Sequence, residues 1–295
     1  MTTGRRDTWR ALGLALCVAA GCDRAASIAP GATKGTQSDV VAVGTEPRPV
    51  REEERVHSPQ AVADRCLPDR VAVAIGGGAS RSICFDRTEV TIAAYTVCVQ
   101  AGQCTEPTAY TTDDPYERYH AFCNWRHPED RSAHPANCLS FKQAQAFCAA
   151  RGGRLPTDVE WKWVASNGGR TRYPWGDAAP NSTRVNSCGL ECPDAVRALT
   201  ADPSLRPLYK QKDGYIGTAP VGSFPKGDNA EGIHDLAGNV AEFVSPVSSA
   251  ESTGDLTTGG SCFSQKAQQM AATDFSRTKW AGATSPSLGF RCVVE

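Results

Sequence analysis

Any chemistry in this chain of 295 residues has to come from thirteen cysteines, five histidines and its acidic side chains. Thiols can ligate metals, exchange electrons or form structural bridges. Ligation by paired thiols favours short repeats, yet no Cys-x-x-Cys occurs and the spacings match no zinc ribbon or knuckle. His120, His127 and His134 recur every seven residues, a spacing that makes no ligand set on a loop. The chain contains no His-Glu-x-x-His, P-loop, dinucleotide fingerprint or nucleophile elbow, and its carboxylates form no assignable acid/base pair. Thirty-one basic against thirty-two acidic residues, with no Lys/Arg block, give no reason to expect nucleic acid as a partner.

Three helices can be placed to position these residues. Thr91 caps a helix over Ile92–Ala101, and Gly102 supplies its left-handed stop. Ser140 and Gln143 make a capping box for Phe141–Arg151, whose Phe141, Ala144, Phe147 and Cys148 share one face before Gly152-Gly153 ends it. A second box, Thr157 with Glu160, starts a helix that buries Trp161, Val164 and Ala165. From Tyr173 onward Gly, Pro, Asn and Asp dominate, and strands are expected only near Gly260–Ser264 and Gly289–Val294. This predicts one loop-rich α+β domain.

The N-terminus suggests export. Arg5, Arg6 and Arg10 precede an apolar run over 11–20 that is too short to span a membrane, ending in Ala19-Ala20-Gly21-Cys22. This resembles a bacterial lipobox, implying a signal peptide over 1–21 and lipidation of Cys22. Residues 22–64 are poor in large apolar side chains and read as a flexible tether, leaving 65–295 as the globular domain. Setting aside Cys17 and Cys22 leaves eleven of the thirteen cysteines. In an oxidising compartment these are expected to form bridges, with at least one thiol left over.

Several blocks in order carry a family resemblance: Phe85-Asp86-Arg87-Thr88-Glu89-Val90-Thr91, His134-Pro135 through Cys148, Gly153-Arg154-Leu155-Pro156-Thr157-Asp158-Val159-Glu160-Trp161, Tyr173-Pro174-Trp175-Gly176-Asp177, Leu236-Ala237-Gly238-Asn239-Val240-Ala241-Glu242-Phe243, and Leu288-Gly289-Phe290-Arg291-Cys292. Together they resemble the formylglycine-generating enzyme (sulfatase-modifying factor) family. The resemblance implies an α+β fold of C-type-lectin-like kind, low in regular structure. Enzymes of that family bind Cu(I) through two cysteines and oxidise a substrate cysteine. Here the matching positions are Ser264 and Gln269, the family's active-site tryptophan is Ala241, and its asparagine near the C-terminus is Ser287; Ser261 is kept. Hard oxygens bind Cu(I) poorly, so copper is not expected.

The resemblance also implies calcium. One set comprises Asp235, Gly238, Val240 and Glu242, and the other Asn186, Ser187, Asp213 and Tyr215, beside an insertion between Gly189 and Gln211. It implies a Cys148–Cys292 bridge as well. A further family bridge maps onto Ala165 and Asp274, where both cysteines are missing together. Spacing suggests Cys98–Cys104, Cys123–Cys138, Cys188–Cys192 and Cys66–Cys84, leaving Cys262 alone on a strand face shared with Ser264. The leading expectation is a lipid-anchored envelope protein whose degenerate domain binds a protein, peptide or small molecule. The alternatives are an oxidoreductase acting through a non-standard site, at Cys262 or bound iron, and a purely structural envelope protein.

Overall fold

The computed structural model describes residues 66–76, 81–107, 117–194, 206–247, 254–278 and 282–295. The expected signal peptide, tether and lipidated Cys22 lie outside them. In chain order the regular elements are β1 (Arg70–Ile75), β2 (Arg81–Asp86), α1 (Ile92–Gln100), α2 (Pro128–Arg131), α3 (Phe141–Ala150), α4 (Asp158–Ala165), β3 (Ala241–Phe243), β4 (Leu256–Thr258), β5 (Phe275–Arg277), β6 (Leu288–Gly289) and β7 (Val293–Val294). The fold is the α+β, loop-rich one expected.

Local chemistry starts each main helix. Thr91 Oγ1 accepts the Ala94 amide, and both boxes close reciprocally, Ser140 with Gln143 and Thr157 with Glu160. Gly102 and Gly152 carry the positive φ that stops α1 and α3. Glu160 does more than cap. Its buried carboxylate accepts both Nη groups of Arg154 at 2.8 and 2.7 Å, which fastens the loop before α4 to the helix.

Two small sheets organise the rest. The first has the order β1-β2-β7, and the second β5-β4-β3-β6, with β6 parallel to β3 and the other pairs antiparallel. Both strand expectations need correction. Gly259 and Gly260 take φ of 89° and 68°, so the strand ends at Thr258 and 261–264 forms a turn. The terminal segment splits because β6 belongs to one sheet and β7 to the other; Arg291 and Cys292 fall at the crossing.

Two apolar cores flank that crossing. One packs Tyr95, Phe147 and Phe290 among α1, α3 and the terminal segment; the other packs Ile83, Phe85, Trp161, Val164 and Ile233 between the first sheet and α4. Among the described residues, five disulfides join Cys66–Cys84, Cys98–Cys104, Cys123–Cys138, Cys148–Cys292 and Cys188–Cys192, the pairs named from resemblance and spacing, and Cys262 is free. Cys148–Cys292 closes a separation of 144 residues, where cross-linking restricts the unfolded chain most. This disulfide content is that of an extracellular or periplasmic protein. Among the described residues no helix is long and apolar enough to cross a membrane.

Candidate functional site

The second sheet and the turn after it enclose a pocket of about 200 Å³. Ala241, Ser264, Gln269 and Ser287 all line it, so the fold gathers the four positions at which the sequence departs from the catalytic pattern. Ala241 and Ser287 meet because the Ala241 amide donates to the Ser287 carbonyl at 2.7 Å. Asp274, at one of the missing bridge positions, also faces the pocket, together with Thr257, Thr258, Ser261 and Ser276. Among the described residues the wall is rich in hydroxyls and carries one carboxylate, that of Asp274.

The two residues at the copper positions are occupied with their own loop. Ser264 Oγ accepts the Ser261 amide at 2.9 Å, and the Ser264 amide returns to the Ser261 carbonyl at 3.0 Å. Gln269 Oε1 accepts the Gln265 and Lys266 amides, each at 3.0 Å. These side chains fasten the turn where thiolates would ligate, and as hard donors they do not fit Cu(I). Cys262 does not replace them. It lies on the turn, off the pocket wall, and is 1% exposed; burial pushes its thiol far above the ordinary range, with Asp213 adding to the effect. A thiol held neutral is a poor nucleophile and a poor ligand.

The histidines do not converge. His127 is exposed, and His134 is buried with Nδ1 3.0 Å from Thr218 Oγ1. Burial, helped by Arg131, lowers His134 to about 4, so its ring is neutral at physiological pH. No group of three or more His, Cys, Asp or Glu side chains that could hold a metal occurs among the described residues.

The first calcium set, Asp235, Gly238, Val240 and Glu242, does not fit a cation as drawn. Glu242 is fully buried, with Oε1 accepting Arg291 Nη2 at 2.6 Å and Nε at 2.9 Å, and Oε2 accepting Arg291 Nε at 2.8 Å and Trp161 Nε1 at 2.9 Å. Its charge is neutralised within the protein. Asp235 Oδ2 takes the Gly222 amide at 2.5 Å, and burial pushes its carboxyl up to about 6. Gly238, at φ 82°, packs so closely on the Asn186 carbonyl that a Cβ would collide with it. Glu89 is a member of this cluster that sequence reasoning left unassigned. It accepts Asn239 Nδ2 at 2.9 Å and the Val240 amide at 3.3 Å, and burial, then the charge of Asp235, raises its carboxyl well above the usual range. The available signal was an acidic residue within Phe85–Thr91, just before the buried Val90.

The second set behaves differently. Asn186 is 1% exposed; its Nδ2 donates to the Gly217 carbonyl at 3.0 Å, while its Oδ1 has no hydrogen-bond partner. Asp213 accepts the Ser187 amide at 3.1 Å and the Tyr209 hydroxyl at 2.5 Å on Oδ2, and the Tyr215 amide at 2.9 Å on Oδ1. The Ser187 carbonyl already accepts the Gly189 amide at 2.8 Å. Burial raises the Asp213 carboxyl, and Glu191 of like charge adds to the rise. A buried acceptor without a donor, on a residue whose chain neighbour Ser187 binds a carboxylate, suits a hard cation, which would tie the 186–187 loop to the 213–215 loop.

Comparison with known proteins bears on these positions. A family profile described as a sulfatase-modifying factor enzyme 1-like domain matches residues 79–295. The formylglycine-generating enzyme of Mus musculus is 29% identical over 196 residues, covering 58% of this chain and 49% of that protein. The inactive C-alpha-formylglycine-generating enzyme 2 of Bos taurus is 31% identical over 182 residues, covering 57% and 55%. The chain therefore spans about half the length of these relatives. PvdO from Pseudomonas aeruginosa shares the fold at a TM-score of 0.50 and 16% identity, over 77% of this chain and 91% of that one.

Proposed function

The chain belongs to the sulfatase-modifying-factor family, and from that premise we propose that its domain is a non-catalytic binding module of an exported envelope lipoprotein. One observation carries this reading. Both positions at which the family's catalysts hold copper are side chains committed to their own turn, Ser264 to the Ser261 amide and Gln269 to the Gln265 and Lys266 amides. The pocket remains although its thiols are gone, and its hydroxyls and carboxylate suit a polar peptide or small molecule. A relative whose name calls it inactive supports the same direction. Ala19-Ala20-Gly21-Cys22 supports a lipid anchor, and the unpartnered Asn186 oxygen supports calcium as a structural ion at Asn186, Ser187, Asp213 and Tyr215.

The test is made on protein exported and oxidised in its host. Elemental analysis should find calcium without stoichiometric copper or iron. A sulfatase-type cysteine peptide, incubated in air with copper(I) supplied, should be recovered unchanged by mass spectrometry. Oxidation of that peptide to its aldehyde would falsify the non-catalytic reading.

A further inference from the structure

Two buried side-chain acceptors without donors fall on neighbouring loops: Asn186 Oδ1, and Oε2 of Glu191, a residue outside both calcium sets. Glu191 sits in the insertion, inside the four-residue Cys188–Cys192 bridge. Its other oxygen, Oε1, accepts the Gly214 amide at 2.7 Å, which docks the carboxylate on the backbone between Asp213 and Tyr215. Its charge acts on Asp213 with like sign. Two neighbouring carboxylates and an unpartnered carboxamide oxygen form an excess of buried acceptors that a cation would neutralise.

We propose that Glu191 is a ligand, through Oε2, to a divalent hard cation held together with Asn186 Oδ1 and the Asp213 carboxylate. This rests on the reading above of calcium at those loops, and adds that the insertion supplies a ligand of its own. Calcium takes six to eight oxygens in a tolerant geometry, so two carboxylates and a carboxamide can be completed by carbonyls or water. The Cys188–Cys192 bridge fixes the backbone on both sides of Glu191, so little ordering remains to be done on binding. Tyr209, whose hydroxyl lies 2.5 Å from Asp213 Oδ2, gives the site an optical reporter.

The experiment uses the full, oxidised chain after chelation, titrated with terbium while tyrosine is excited, followed by displacement with calcium and by calorimetry with calcium alone. Wild type should show sensitised terbium emission that calcium abolishes. Asp213→Asn should remove most binding. Glu191→Gln keeps an acceptor for the Gly214 amide and should weaken calcium by about tenfold or more, since ligand charge sets affinity at such sites. In chelator the same variant should melt no lower than wild type, because a like charge beside Asp213 is gone; a purely structural Glu191 would instead lower the melting temperature equally with and without calcium. Glu191→Asp keeps the charge on a shorter arm and should fall between the two in affinity. Unchanged calcium affinity in Glu191→Gln, with binding lost in Asp213→Asn, overturns the role of Glu191 and leaves the calcium reading standing. No binding by wild type overturns both.

Discussion

Two acidic centres in this domain look alike in sequence and differ in how their charge is answered. At the crossing of the two sheets, Glu242 faces Arg291 and Trp161, and the other guanidinium N–H groups reach the carbonyls of His234 at 2.8 Å and Asp86 at 3.3 Å. Each Glu242 oxygen there has a donor and a guanidinium beside it, although Asp235 and Glu242 still act on the neighbouring Glu89 with like charge. In the loops around Asn186 and Asp213, the described residues leave Asn186 Oδ1 and Glu191 Oε2 without donors, and Glu191 acts on Asp213 with like charge. The first centre completes the fold from within the chain. The second keeps acceptors without donors, and on the proposed reading an added cation answers them, which would make it a binding site where the first is a structural ion pair.

The sharpest way to break this contrast is Arg291→Met, which keeps much of the volume and strands Glu242. Losing one partner of a buried pair costs about 3–5 kcal/mol. Urea unfolding should show that loss to the same extent in calcium and in chelator. Rescue by calcium would mean that Glu242 can be claimed by a cation, and the two centres would then be of one kind.

A slightly smaller effect separates Asp235 from its neighbours. Burial raises its folded-state carboxyl from 3.8 to about 6, with Arg291 and His234 opposing the rise and Asp228 adding to it. Below the unfolded value both states are protonated. Between roughly pH 4 and 6 the folded state holds the proton that the unfolded chain releases, so stability falls as pH rises and levels off above 6. The full drop is on the order of 3 kcal/mol. Asp235→Asn should flatten this part of the stability–pH curve relative to wild type, measured by denaturant midpoints across the range. Parallel curves would place the titration elsewhere.

What was legible in the sequence was mainly what is local. Thr91, Ser140 and Thr157 cap their helices through hydrogen bonds spanning three residues, so type and spacing were enough to find them. The bridges Cys98–Cys104 and Cys188–Cys192 are short-range too, whereas Cys148–Cys292 came from family resemblance alone. Glu89 meets Asn239 across 150 residues, and Arg291 meets Glu242 across 49; neither partner could be inferred from periodicity. The turn at 261–264 was read as a strand because alternation over a few residues cannot register two glycines at positive φ. That misplacement put Cys262 on a face with Ser264, when the turn removes it from the pocket wall. The donorless oxygen of Glu191 was hidden for another reason: sequence shows which residues bear charge, and only packing shows which charges go unanswered.

The smallest predicted effect probes the loop centre from its other side. Tyr209 donates its hydroxyl to Asp213 Oδ2, or alternatively to the Val185 carbonyl at 2.9 Å, and burial raises its pKa far above the phenol range, so it stays a donor at any working pH. Tyr209→Phe removes the short hydrogen bond to a carboxylate that burial and the like charge of Glu191 already disfavour as an anion. Loss of a hydrogen bond to a charged group costs about 1.5–3 kcal/mol, and the lower end applies because Asp213 keeps two backbone donors. If a cation shares Asp213, calcium should recover most of that loss, since positive charge then answers the oxygen the hydroxyl left. Thermal melts of wild type and Tyr209→Phe in chelator and in calcium decide the matter: a smaller gap in calcium marks the loops as a cation site, and an equal gap marks Tyr209 as their sole remedy.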